Sequence, residues 1–201
     1  MNENDDVKIP EEQTIGLASE LFGDKVYSDV DDELTKAVQD ITEQHAKNPK
    51  ANGLTELKEK FSKPIVNMVM ETARQQYGRD MKKSTQNQLE RKIHETTDTV
   101  VNREYGDYTI KDHQLEKERN DKIREAQKSG ASMTDISRLD DEYAKRRLKG
   151  YQDMVNNIHQ KINSKETVKK AAETIVETVE TEKLNTEKNS IEGSVRDHLL
   201  L

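Results

Sequence analysis

Apolar residues recur along this chain at steps of three and four, the spacing of a helix face, and almost nowhere alternate one by one as in a half-buried strand. A first short helix is expected over residues 11–22, stopped by Gly23. A second begins at Ser28 or Asp29, where the acidic Asp31, Asp32 and Glu33 suit the positive end of a helix. Its apolar stripe is Val30, Leu34, Ala37, Val38 and Ile41. Residues 48–53 (Asn-Pro-Lys-Ala-Asn-Gly) read as a turn. A short helix over 54–61 follows. A new start at Ser62, with Pro64 in the first turn, carries Ile65, Met68, Val69 and Thr72 to a stop at Gly78.

Ser84 opens the next helix, with Leu89, Ile93, Thr96, Val100 and Val101 inward and an end near Gly106. Residues 107–110 are the one strand-like tetrad and read as an extended connector. Asp112 then caps a charged helix through Lys128, whose only inward apolar residues are Leu115, Ile123 and Ala126. Residues 134–163 form the longest element, about 30 residues and so roughly 45 Å. Ile136, Leu139, Tyr143, Leu148, Tyr151, Val155, Ile158 and Ile162 lie close to a heptad seam, with one slip around Gly150. Ser164 caps a last helix with Val168, Ala172, Ile175 and Val179 inward, an antiparallel partner for the previous one across 163–164. Beyond Glu180 the pattern fades, and 181–190 read as a linker.

The expected fold is therefore all-α and multi-helix, a compact amino-terminal helical part followed by a long antiparallel helical hairpin. Its divisions are a disordered acidic tail at 1–10, a helical subdomain at 11–106, a connector and exposed helix at 107–133, the hairpin at 134–180, and a linker with the carboxy-terminal tail at 181–201.

Composition changes this picture by making the seams thin. Leu, Ile, Val and Phe number 40 of 201 residues, at the edge of what a folded chain carries, while 36% of residues are charged. The net charge of only −7 argues against disorder by repulsion. Seams this narrow are expected to be completed by another chain, a second copy, or more of the same polypeptide. The eight residues of the 136–162 seam are then the partner-binding candidates. The terminal Leu199-Leu200-Leu201 suggests docking or truncation.

Charge is also uneven, with 5 basic against 13 acidic residues in positions 1–50. Such a segment is repelled by phosphate backbones. The one basic stretch, Arg138, Lys145, Arg146, Arg147 and Lys149, is a phosphate-facing candidate. Asp140, Asp141 and Glu142 beside it favour a solvated face instead, so nucleic acid is the second choice of partner.

Cysteine is absent, which removes disulfide frameworks, thiolate metal sites and cysteine nucleophiles. No apolar run opens the chain, and runs such as Met68-Val69-Met70 are far below a membrane span. A cytoplasmic protein without a membrane is expected. Phosphate-binding glycine loops, dinucleotide fingerprints, nucleophile elbows and His-Glu-x-x-His are missing. None of the five histidines has a Glu three residues earlier.

Weaker groupings have plainer readings. Asp29, Asp31, Asp32 and Glu33 read as a helix start, and His113 with Glu116, or His94 with Glu90, as solvated positions lacking a third ligand. Glu56 and Lys58 with Asp40 read as exposed ion pairs, and Met68 with Met70 as core filling. No enzyme, cofactor or metal is expected.

The run Ile191-Glu-Gly-Ser-Val-Arg-Asp-His-Leu199 resembles the entry to a helical segment in the R subunits of type I restriction systems and related large helicase-type DNA translocases. It covers under a tenth of the chain, and the motor and nuclease motifs of that family are not present. The resemblance implies a non-catalytic helical portion of a DNA-processing machine and carries over no functional residue.

Overall fold

The computed structural model describes residues 8–78, 81–162 and 164–199, with side chains as far as Ile191. Among these residues it has six helices and no strand: α1 Glu11–Leu21, α2 Asp24–Lys47, α3 Leu54–Tyr77, α4 Lys83–Lys128, α5 Met133–Lys161 and α6 Ser164–Leu199. The chain is all-α, as its periodicity predicts. The tail expected at 1–10 lies outside the described residues as far as residue 7, and the terminal leucines at 200–201 lie outside them altogether.

Four expected boundaries are replaced by continuous helix. α2 starts at Asp24, directly after Gly23, whose carbonyl accepts from Val26 and Tyr27 N–H. Asp29, Asp31, Asp32 and Glu33 therefore sit within the helix and do not cap it. α3 runs through Pro64 unbroken. Proline removes one backbone donor there, but Phe61 and Ile65 on either side are fully buried, and their packing holds the helix together. Residues 107–110 are helical, because α4 continues through Gly106. Residues 181–190 are helical too, anchored by Lys183 over the Tyr77 ring at 5.2 Å and by a 3.2 Å Lys82–Glu182 ion pair.

The chain forms two compact units, each assembled from separated segments. The first comprises the described parts of Met1–Asp31, Pro64–His94 and Ser164–Leu201. In it α1 packs on α6. The opening of α4 runs antiparallel to α6, with Lys92 donating to Thr174 at 3.0 Å. Its core is mostly aliphatic: Val30, Ile65, Val69, Leu89, Ile93, Val168, Ile175 and Val179 are buried, together with the Phe22 ring.

The second unit comprises Asp32–Lys63 and Glu95–Asn163. Its backbone is a long hairpin of α4 and α5 that turns across residues 129–132. The turn is chemically specified. Gly130 takes φ +74°, a left-handed conformation open to glycine without strain. Ala131 N–H bonds to Ala126 O and Gly130 N–H to Gln127 O, which closes the end of α4 in a Schellman motif. Ser132 then caps α5: its hydroxyl accepts from Asp135 N–H at 3.2 Å and donates to the Asp135 carboxylate at 2.6 Å. Ser132→Ala should lower stability by about 1 kcal/mol, read from the urea midpoint.

Antiparallel register follows from the contacts, since partner numbers on α5 fall as those on α4 rise. Lys161 pairs with Glu104 at 2.6 Å, Arg147 with Asp112 at 2.6 Å, Arg146 with Glu118 at 3.3 Å, and Arg119 with Asp140. Helix continuity through Gly106 yields a further prediction. A Cβ added there meets nothing within 4 Å, so Gly106→Ala should stabilise the protein by about 0.5–1 kcal/mol in a thermal or urea melt.

A candidate functional site at the Asn48–Gly53 turn

In the second unit a cluster of aromatic and polar side chains gathers where the turn between α2 and α3 meets the α4–α5 hairpin. Tyr151, on α5, is 1% exposed and donates its hydroxyl to Asn52 O at 2.8 Å. His45, in the last turn of α2, stacks on the Tyr151 ring with centroids 3.4 Å apart and planes 6° from parallel. Tyr108 of α4 meets the same ring edge-on at 5.6 Å. His45 Nδ1 lies 3.1 Å from Ala51 O. A carbonyl oxygen only accepts, so Nδ1 carries the proton.

Asn52 completes the clamp. It takes φ 59° and donates its side-chain amide to Ile41 O at 3.2 Å and Gln44 Oε1 at 3.3 Å. Gly53 N–H donates to Glu56 Oε2 at 3.2 Å, a half capping box that starts α3. Burial raises the Tyr151 hydroxyl well above its ordinary range and pushes that of Tyr108 up to about 12. Both therefore stay protonated donors at any physiological pH.

Two clefts open beside this clamp. One, of about 330 Å³, has apolar walls from Ala46, Pro49, Tyr108, Ala144 and Leu148, with His45, Lys145 and Arg147 as its polar members. The other, of about 440 Å³, is polar and includes Asp112, His113, Glu116, Thr109 and Lys50. Arg147 borders both and is held flat by Asp112, through Nε at 2.7 Å and Nη2 at 2.6 Å. Among the described residues no three His, Asp or Glu side chains converge as metal ligands, although His113 and Glu116 share one cleft. No described helix is long and apolar enough to cross a membrane.

The structure separates the seam residues singled out from sequence. Tyr143, Tyr151, Val155, Ile158 and Ile162 are buried by this chain itself, whereas Ile136, Leu139 and Leu148 are half-buried. The slip between Tyr143 and Leu148 has a cause, because the α5 position that faces α4 there is Arg147. Replacing Leu148 by Arg147 restores steps of four through Tyr143, Arg147 and Tyr151, and Leu148 turns into the apolar cleft instead.

The basic stretch divides as well. Arg146 and Arg147 hold carboxylates of α4, while Arg138, Lys145 and Lys149 are exposed. Lys58 pairs with Asp98 at 3.8 Å and Lys60 with Asp40 at 2.8 Å, so the Asp40, Glu56 and Lys58 grouping is spent on capping and ion pairs.

His45, Asn52, Tyr108 and Asp112 were not singled out together by sequence reasoning. The available signal was the spacing of Val101, Tyr105, Tyr108, Asp112, Leu115, Arg119, Ile123 and Ala126, which steps by threes and fours without a break across Gly106. It is a helix face written in aromatic and charged residues.

Toward the turn, the hairpin is held by charge. Glu118 accepts from Tyr143 at 2.8 Å and from Arg146 at 3.3 Å, and these bonds hold its carboxyl below the ordinary range. Arg119 does the same to Asp140. A carboxyl whose pKa is lowered by folding contributes stability that is complete above its unfolded value, near 4, and is lost as pH falls through the folded value. Amide protection along the α4–α5 turn end should therefore drop between about pH 4 and pH 2, ahead of the residues around Tyr151.

Comparison with known protein families, curated proteins and solved structures gives no match to this chain.

Proposed function

We propose that this chain is a non-enzymatic helical interaction module, which binds a protein partner along the turn end of the α4–α5 hairpin. One observation supports the reading: the burial gradient along that hairpin. Around the clamp, Tyr151, Val155 and Ile158 are fully covered. Toward the turn, Leu115, Ile123, Ala126, Ile136 and Leu139 are all half-buried, and Met133 is 81% exposed. Two helices alone cannot cover a seam that has run out of a third, and apolar area of this kind is what a partner helix removes from water. The surrounding charges fix register more than affinity.

The test combines mass with a seam variant. Light scattering should give a mass above 23.2 kDa, or affinity capture should give a stoichiometric partner. Either association should be lost in Ile123→Asp/Leu139→Asp with the helical circular dichroism retained. A monomer that captures nothing, or an association indifferent to the double variant, overturns the reading.

A further inference from the structure

The cleft between Pro49 and α5 has a chemical bias that a plain packing defect lacks. Its walls come from four separate places: Ala46 at the end of α2, Pro49 in the turn, Tyr108 on α4, and Ala144 with Leu148 on α5. Side chains fixed elsewhere hold that frame rigid. Tyr108 is locked edge-on to Tyr151, and the turn is clamped by His45, Asn52 and Tyr151. The volume of about 330 Å³ sits at the small end of ligand pockets.

Charge then decides the sign of the ligand. Among the described residues no acidic side chain borders the cleft, and its charged members are Lys145 and Arg147. Asp112 offsets Arg147 by occupying Nε and Nη2, but Nη1 takes no part in that pair. Lys145 is exposed and leaves the mouth one positive charge in excess. An apolar slot with a cationic lip disfavours an ammonium head, which Lys145 and Arg147 repel. It accommodates an aliphatic or aromatic tail while its anionic head stays at the wet edge, where desolvation is slight.

We propose that this cleft is a binding site for a small apolar carboxylate, its tail among Pro49, Tyr108, Ala144 and Leu148 and its head group at Lys145 and Arg147. This site lies apart from the turn end of the hairpin and does not depend on the partner-binding reading.

Isothermal titration of the full chain with octanoate, and with octylammonium as the sign-reversed control, tests it. Saturable one-site binding of octanoate is expected, with octylammonium at least tenfold weaker. Ala144→Trp, at an exposed helical position, fills the slot and should abolish binding. Lys145→Glu leaves the slot open and should weaken octanoate at least tenfold while improving octylammonium. No saturable octanoate binding at millimolar concentration, equal binding of both probes, or full affinity in either folded variant overturns the proposal.

Discussion

Tyr151→Ala should cost about 3–5 kcal/mol, the largest loss expected of any single substitution around the turn. The ring is 1% exposed, stacked on one side by His45 and met edge-on by Tyr108. Removing it empties the junction of α2, α4 and α5, and the stack partners cannot close in without moving their helices. Tyr151→Phe separates the ring from its hydroxyl. The ring contacts remain, but Asn52 O loses its 2.8 Å donor while still enclosed, a loss of about 1–2 kcal/mol. Urea unfolding followed in the near-ultraviolet tyrosine bands, alongside helical ellipticity, measures both. A Tyr151→Ala protein within 1 kcal/mol of wild type would show that the clamp does not organise the second unit.

Asn52 carries the second large effect, and its variants fall in a definite order. The residue is 2% exposed with φ 59°, a conformation that asparagine tolerates and β-branched residues avoid. Its amide N–H groups reach Ile41 O and Gln44 Oε1, both of which only accept. Asn52→Gly loses those bonds but relaxes the backbone, at about 1–2 kcal/mol. Asn52→Ala loses them and adds left-handed strain, at about 2–3 kcal/mol. Asn52→Asp keeps the shape yet turns a donor into a carboxylate facing two acceptors, and should be at least as harmful as alanine. If Asp proved milder than Gly, the side-chain amide would not be acting as the donor.

Much of the architecture was legible where aliphatic residues carry it. Val30, Leu34 and Ile41 on α2, Leu89 and Ile93 on α4, and Val168, Ala172, Ile175 and Val179 on α6 were expected inward and are buried. Reading failed where helices continue through residues that usually end them. Gly106 and Pro64 each weaken a helix by a local amount. Phe61 and Ile65 are fully buried on either side of Pro64, while beyond Gly106 Tyr108 packs on Tyr151 and Asp112 binds Arg147, both partners distant in sequence.

The candidate site was less legible still. Its members are one histidine, one asparagine, two tyrosines and an ion pair drawn from α2, the turn, α4 and α5, and no local motif joins them. The five-residue slip in the α5 seam was the visible trace, a point where the position facing its neighbour is an arginine instead of an aliphatic residue.

By itself the amino-acid order determined that this chain is helical, free of cysteine chemistry and sparing in large apolar residues, because period and composition are local properties of the sequence. The tertiary structure alone decided that α5 pairs with α4, that Arg147 faces Asp112, and that Tyr151 finds Asn52. Those outcomes depend on which apolar and charged faces meet across long separations in sequence, and near-equal helical spacings leave several pairings open until side chains of particular size and charge are brought together.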